Sequence, residues 1–245
     1  MNATLKTEWI TLRVSDGTKM RAFVSKPVVT ETQENSKLKP LIILQEAFGV
    51  NSHIQSVCKR FSDAGFLAIA PELFHRTAPE GEGFVIPYDK FEETASHVNA
   101  LKDEKIKVDL HAVQNYLHSL SDVDLNWLGT VGFSLGGRIS FFANAVLPLN
   151  AAVSFYGSKI VPTLLPEVTE QKGPLLLIWA GQDKNITIEE KRVLRESLYK
   201  NEKNFVHVEF SKADHGFFCN ERKSYNEKAA EQAFALTVAF IKSYI

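Results

Sequence analysis

The sequence predicts an α/β fold: a doubly wound, mostly parallel sheet with helices on both faces, preceded by an N-terminal antiparallel hairpin. From residue 40 onward, apolar strand-like runs alternate with helix-like segments, a pattern that predicts parallel strands joined by right-handed crossovers. Residues 9–14 and 20–24 alternate apolar and polar side chains around Asp16-Gly17, a hairpin signal. At 245 residues the chain suits one such domain, so we expect a single domain over residues 1–245.

The strands of the expected sheet are short apolar runs, typical of strands buried on both faces. In chain order they cover residues 40–46, 66–70, 127–133, 151–155, 174–180 and 205–210. A polar stretch at 30–39 precedes the first of them. A stretch at 71–88, rich in Pro and Gly, predicts a loop at the carboxyl end of a strand, where loops usually line a site.

Helices are predicted where apolar residues recur at helical spacing. Asn51 can cap a helix that runs to about Ala64, and Gly65 can end it. The other predicted helices cover residues 103–120, 135–145, 188–199 and 225–241.

Composition and charge argue against several classes of function. The net charge is −1, with 23% charged residues, which gives no field for binding nucleic acid or an anionic membrane. The N-terminus lacks the pattern of a secretory signal, and no apolar run approaches the ~20 residues that span a bilayer, so we expect a cytoplasmic protein. Cys58 and Cys219 have no zinc-site spacing and are interpreted as ordinary thiols.

The run Gly132-Phe-Ser134-Leu-Gly136 has the pattern of a nucleophile elbow. In such an elbow a strand turns abruptly into a helix, the serine takes a strained backbone conformation, and small residues two positions before and after prevent clashes. Because the pattern also occurs by chance, the rest of the chain must support it. The elbow predicts Ser134 as a nucleophile.

A serine nucleophile needs a base and a carboxylate that orients the base, and both candidates follow Ser134 in the chain. Asp183 comes just after the strand at 174–180; alone, an aspartate there is more often a turn former or a helix cap. Of seven histidines, His215 is the one expected on a loop at a strand's carboxyl end after that acid. The order Ser, Asp, His is the one used by the α/β-hydrolase fold.

The oxyanion of an acyl-transfer intermediate needs fixed hydrogen-bond donors. The amide of Leu135, in the first turn of the elbow helix, is one candidate, and the amide of Ala47, after the strand at 40–46, is the second. No zinc, metalloprotease or phosphate-loop motif is present, so we expect no metal and no cofactor.

Four blocks of sequence resemble the dienelactone hydrolase family, which has the α/β-hydrolase fold. They are Gln45-Glu-Ala-Phe-Gly-Val-Asn51, Pro71-Glu-Leu-Phe-His-Arg76, Gly132-Phe-Ser-Leu-Gly-Gly137, and Asp214-His-Gly-Phe-Phe218 with Ser224-Tyr-Asn226 after it. The segment 151–157, which ends in Phe155-Tyr156-Gly157, also fits. The resemblance covers the chain from about residue 10 to its end. It implies hydrolysis of a lactone or ester through a covalent acyl-enzyme, without a metal.

The chain departs from the family's type members at two places. They carry cysteine at the position of Ser134, supported by a glutamate that corresponds to Glu46, which here is either a site acid or a buried structural carboxylate. They also bind an anionic substrate through arginines, one of them four residues past the histidine, where this chain has Cys219. Arg76 and Arg222 are the nearby cations, and each is either a substrate ligand or a surface charge.

The remaining candidates for substrate contact are aromatic. Phe48, Tyr156 and Phe217, with Phe84 or Tyr88 as a further candidate, are expected to line a mixed apolar pocket, and the alternative is that the rings pack in the core.

The sequence therefore predicts a cofactor-free serine hydrolase that cleaves a small ester or lactone, as a monomer or homodimer, with no nucleic-acid or membrane partner. Ser134 would attack the carbonyl carbon, His215 would move the proton and Asp183 would orient His215. Two alternatives stay open: a thioesterase or peptide-directed hydrolase with the same chemistry, and a non-catalytic ligand-binding protein on the same fold.

Overall fold

A computed structural model describes residues 4–28, 37–79 and 83–245 of the chain. The polar stretch predicted at 30–39 and the loop predicted at 71–88 therefore lie partly outside the described residues. By its contacts the chain divides into two compact units, Met1–Gly129 and Thr130–Ile245. The single domain over residues 1–245 stays a prediction.

In its described residues, the first unit contains four strands in the spatial order β1-β2-β4-β3. They are β1 (Leu5–Arg13), β2 (Lys19–Pro27), β3 (Lys39–Leu44) and β4 (Phe66–Pro71). β1 and β2 form the predicted antiparallel hairpin, which is longer than expected at its open end. β2 pairs antiparallel with β4, whereas β3 and β4 are parallel. The hairpin thus extends a parallel pair of strands, as predicted.

The described part of the first unit has three α-helices: α1 (Ser52–Asp63), α2 (Thr94–Ala100) and α3 (Asp103–His118). The side chain of Asn51 caps α1 by accepting a hydrogen bond of 3.2 Å from the amide of Ile54, and Gly65 follows the helix with φ +100°. The apolar face of α1 packs on β2 and β4. α2 and the 3₁₀ turn before it, Tyr88–Glu93, were not predicted, because most of their side chains are exposed and show no apolar period.

The second unit contains β5 (Gly129–Phe133), β6 (Ala151–Phe155), β7 (Leu175–Ala180) and β8 (Phe205–Phe210), adjacent in that order. The pairs β6–β7 and β7–β8 are parallel. β5, β6 and β7 are wholly buried, as their apolar sequences predict.

Helices α4 (Leu135–Val146), α5 (Ile188–Lys200) and α6 (Glu227–Lys242) complete the unit, with α4 against β6 and α6 against β7. All these bounds lie within two residues of the predicted ones. The α/β class with a mostly parallel sheet is therefore confirmed.

Two further expectations from the sequence concern the cysteines and membrane-spanning helices. Neither Cys58 nor Cys219 is part of a disulfide, both are buried, and burial raises the pKa of the Cys58 thiol far above its usual range. Across the three described ranges, no helix combines the length and the apolar character needed to cross a bilayer.

Candidate active site

The turn between β5 and α4 has the backbone of a nucleophile elbow. Ser134 lies between the two elements with φ +53° and ψ −111°, a conformation that few non-glycine residues adopt. Its amide donates a hydrogen bond of 3.0 Å to the carbonyl oxygen of Phe155 at the end of β6. A Cβ on Gly132 would lie 1.9 Å from the carbonyl oxygen of Gly136, so the close approach of strand and helix requires glycine there. The elbow pattern in the sequence thus corresponds to an elbow in the backbone.

Ser134, His215 and Asp183 form one hydrogen-bonded chain. Ser134 Oγ lies 2.8 Å from His215 Nε2, and His215 Nδ1 lies 2.8 Å from Asp183 Oδ2. A carboxylate can only accept, so Nδ1 carries the proton and Nε2 accepts from the serine hydroxyl. The Asp183 side chain is fully buried, and its Oδ1 accepts a second hydrogen bond of 2.7 Å from the amide of Asn185. Such an arrangement can move a proton from the hydroxyl to the imidazole while the carboxylate stabilises the imidazolium.

Backbone contacts hold the loop of Asp183 against the loop of His215. The amide of Gly181 donates to Phe210 O, and that of Gln182 donates to Ala213 O, both at 2.9 Å. A Cβ on Gly181 would lie 2.5 Å from the Cα of Ser211, so the two loops are in direct contact. The loops of Asp183 and His215 are thus fixed relative to each other by main chain.

Lys191 on α5 joins the same two strands at their ends. It is buried, and its Nζ donates to Ala180 O at 2.8 Å and to Glu209 Oε2 at 2.9 Å. Lys191 was not among the predicted site residues, because nothing in the sequence distinguishes it from the lysines of a surface helix. Through these contacts Lys191 stabilises the end of β7, from which the loop of Asp183 begins.

Two of the predicted substrate-contacting residues, Tyr156 and Phe217, belong to the second unit. Both are fully buried, with 0% of each residue exposed. The Tyr156 ring lies 5.0 Å from the His215 ring and 5.4 Å from the Phe217 ring, measured between centroids. Their substrate-binding role stays a prediction, and complete burial weighs against it.

The predicted residues of the first unit cluster after β3, which ends at Leu44, two residues earlier than expected. Gln45 Oε1 accepts a hydrogen bond of 3.1 Å from the amide of Leu73, and the Glu46 side chain is buried. Ala47 is half-buried in a turn, and Phe48 packs against Tyr88 with centroids 4.6 Å apart. The roles predicted for Glu46, Ala47 and Phe48 stay predictions.

Arg76 is engaged by two carboxylates of the first unit. Its Nη1 and Nη2 donate to Asp109 at 2.8 and 2.7 Å, and its Nε donates to Asp16 at 3.0 Å. Partial burial opposes the charge, but hydrogen bonds and attraction from Asp109 and Asp16 raise the pKa of Arg76 above its usual value. Since all three nitrogens already donate within the unit, the placement of Arg76 weighs against a role in binding an anionic substrate.

Arg222, the other candidate cation, lies against Gly216, next to His215, in the second unit. A Cβ on Gly216 would lie 2.2 Å from Arg222 Nη1, so the guanidinium covers the residue that follows His215. Its role as a substrate ligand stays a prediction.

Comparison with known proteins identifies relatives along nearly the whole chain. The sequence model of the dienelactone hydrolase family matches residues 26–245. A protein of Synechocystis sp. named "Putative carboxymethylenebutenolidase" is 30% identical over 246 residues, which cover 96% of this chain and 95% of that protein.

Solved structures extend the comparison to the fold. The crystal structure of a "Putative Dienelactone Hydrolase" from Klebsiella pneumoniae matches with a TM-score of 0.87 and 26% identity, over 98% of this chain and 100% of that one. Acylaminoacyl peptidase from Pyrococcus horikoshii matches with a TM-score of 0.74 and 15% identity, over 99% of this chain but 42% of the peptidase. The second match shows a shared α/β-hydrolase fold and no more.

Proposed function

The chain belongs to the dienelactone hydrolase family, hydrolases that act on ester bonds, and we propose that it cleaves a small ester or lactone through an acyl-enzyme on Ser134. The observation that carries the proposal is the hydrogen-bonded chain from Ser134 through His215 to Asp183, with both distances at 2.8 Å. We also propose a cytoplasmic location and a monomer or homodimer, as the sequence analysis expects.

The first half-reaction acylates the serine. His215 Nε2 takes the hydroxyl proton as Ser134 Oγ attacks the carbonyl carbon, and Asp183 stabilises the imidazolium that forms. The tetrahedral intermediate then collapses, and His215 returns the proton to the departing alkoxide. In a lactone that alkoxide stays attached to the acyl group, so the ring opens.

Two amides are proposed to stabilise the oxyanion. Leu135 is the first residue of α4, where an amide has no acceptor within its own helix and the helix dipole favours negative charge. Ala47 would supply the second amide from the turn after β3. Fixed main-chain donors of this kind need no reorganisation during the reaction.

The second half-reaction releases the acid. His215 takes a proton from water, the hydroxide attacks the acyl carbon, and Ser134 Oγ leaves with the proton held on Nε2. A serine hydroxyl does not ionise at neutral pH as a thiol can, so His215 is needed as a base for the attack of Ser134 as well as for the attack of water. The first of these requirements is the one that differs when cysteine stands at the position of Ser134.

The test is covalent labelling of the purified protein with a fluorophosphonate probe, alongside turnover of an activated aryl ester. We expect labelling of the wild type, its loss in Ser134→Ala, and a fall in kcat of roughly 10⁴-fold or more. Ser119→Ala, an exposed serine after α3, is the matched control and should keep both. Labelling that persists in Ser134→Ala contradicts the assignment.

A panel of aryl ester, lactone, thioester and peptide substrates then separates the alternatives. Highest kcat/KM for an ester or lactone supports the proposal, and a preference for thioesters or peptides favours the second candidate chemistry. Ligand binding without turnover in both the wild type and Ser134→Ala would indicate a binding protein on this fold.

A further inference from the structure

We propose that Tyr156 is a positioning residue for His215: its buried ring sets the plane of the imidazole between Ser134 and Asp183. The inference rests on the proposed function, in which His215 is the base. The two ring centroids are 5.0 Å apart and the ring planes meet at 58°, so the phenol ring and the imidazole are in tilted contact. A positioning role differs from the substrate contact that the sequence suggested.

The position of Tyr156 is itself tightly fixed. It is the first residue after β6, and its amide donates a hydrogen bond of 2.7 Å to the carbonyl oxygen of Ile178 in β7. Its ring lies 5.4 Å from Phe217, 6.1 Å from Phe155 and 6.4 Å from Phe133, measured between centroids. The ring is fully buried, so it has no exposed surface with which to contact a substrate. A side chain held this firmly can restrain the position of the neighbouring His215 ring.

The backbone of Tyr156 is strained, as that of Ser134 is. Its φ is +36°, a value at which bulky side chains are rarely found. Among the described residues, four that are not glycine have positive φ, and two of these, Ser134 and Tyr156, contact His215. The strain is held locally, since the amide of Ser134 donates to the carbonyl oxygen of Phe155, the residue before Tyr156. Strain that persists beside a site points to a functional constraint there.

The two hydrogen bonds of His215 do not prevent one rotation of its ring, so other contacts must restrain that rotation. Imidazole nitrogens form hydrogen bonds best in the plane of the ring, so the bonds at Nδ1 and Nε2 restrain the line that joins Asp183 Oδ2 and Ser134 Oγ. Rotation of the ring about that line changes the angles at Ser134 Oγ and Asp183 Oδ2 while the distances change little. We infer that the Tyr156 ring, with its centroid 5.0 Å from that of the imidazole, limits this rotation. Since a misplacement of about 1 Å can cost 10²-fold in rate, the orientation matters for kcat.

The experiment compares two substitutions at Tyr156. Tyr156→Phe keeps the ring and should leave kcat within about threefold of the wild type. Tyr156→Asn removes the ring, while asparagine tolerates a positive φ, so the local backbone conformation is kept. We expect kcat for the aryl ester to fall between about 10-fold and 10²-fold, with KM changed less than about threefold.

A second readout follows His215 directly. In proton NMR spectra, the downfield Nδ1 proton that His215 donates to Asp183 should persist in Tyr156→Phe and broaden or vanish in Tyr156→Asn. Tyr116→Asn, a half-buried tyrosine on α3, controls for loss of a tyrosine and should keep the resonance and kcat. If Tyr156→Asn fails to fold, Tyr156→Gly replaces it, because glycine adopts positive φ without strain.

Two results would overturn the proposal. A folded Tyr156→Asn or Tyr156→Gly that keeps both kcat and the Nδ1 resonance would reduce Tyr156 to a core residue. A rise in KM with unchanged kcat would make it a substrate contact. Failure of the proposed function is distinguishable, since it appears as absent fluorophosphonate labelling in the wild type, and the resonance still reports on His215 in that case.

Discussion

Adding one methyl group to the elbow, in Gly132→Ala, should disable the site without touching any side chain of the triad. The new Cβ would lie 1.9 Å from the carbonyl oxygen of Gly136, and ordinary contact begins at 3.4 Å. The first turn of α4 must therefore move by about 1.5 Å, and it carries Ser134 at its start. Because a displacement of about 1 Å costs on the order of 10²-fold, we expect kcat to fall at least 10²-fold. Forced contact in a packed region should also lower the free energy of unfolding by about 1–3 kcal/mol.

The assay is initial-rate hydrolysis of an aryl ester, with urea unfolding of the same preparations. Gly17→Ala is the matched control: its Cβ meets nothing within 4 Å, but its φ is +88°, so the substitution strains a turn far along the chain from Ser134. Gly17→Ala should lose about 1 kcal/mol of stability and keep kcat. A folded Gly132→Ala with kcat within threefold of the wild type would refute the steric reasoning.

Two further predictions concern buried charges of the first unit. Asp109→Asn should lower the free energy of unfolding by about 3 kcal/mol, measured in urea at pH 7, because it leaves the Arg76 guanidinium without its buried carboxylate. The control is Asp63→Asn, at an exposed position, which should change the free energy of unfolding by less than about 0.5 kcal/mol. Equal effects of the two substitutions would contradict the argument. Burial raises the pKa of Glu72 and outweighs the attraction of nearby cations, so the folded state binds the proton more tightly than the unfolded state. Stability of the wild type should then fall as pH rises past the ordinary glutamate pKa. Glu72→Gln should be more stable than the wild type at pH 7.5, and the difference between their urea midpoints should shrink toward pH 4. A difference that stays constant at all pH values would show that protonation of Glu72 is not linked to folding.

The sheet could be predicted because its strands are buried on both faces and read as apolar runs. β6 and β8 begin and end where the sequence predicts. β3 is shorter than its apolar pattern suggests, because Gln45 leaves the ladder and its side chain accepts a hydrogen bond from Leu73. The helix α2 could not be predicted, since an exposed helix that buries little apolar surface leaves no period in the sequence.

Chain order and topology were enough to identify the three residues of the candidate site, but not the partners of its cations. Ser134, Asp183 and His215 each follow a strand directly or by a few residues, and such positions converge at one edge of a parallel sheet. Arg76 is engaged by Asp16 and Asp109, which lie 60 and 33 positions away in the chain. Nothing in the sequence around Arg76 distinguishes a substrate ligand from a residue in such an ion pair.

Asp183 shows where a stronger sequence signal was present. An aspartate after a strand is usually a turn former, and Asp183 does accept a hydrogen bond from the amide of Asn185, two residues on, as a turn former would. An ordinary turn, however, does not need Gly181, whose absent Cβ lets the main chain touch Ser211 on the loop that leads to His215. The pattern Gly-x-Asp at a strand end therefore carries information beyond the aspartate. It indicates that a second loop approaches the backbone there, and in this protein the second loop carries His215, the proposed base. The same logic makes Gly132 informative about Ser134: in both cases the glycine indicates a close approach of main chain that brings the side chains of the candidate site together.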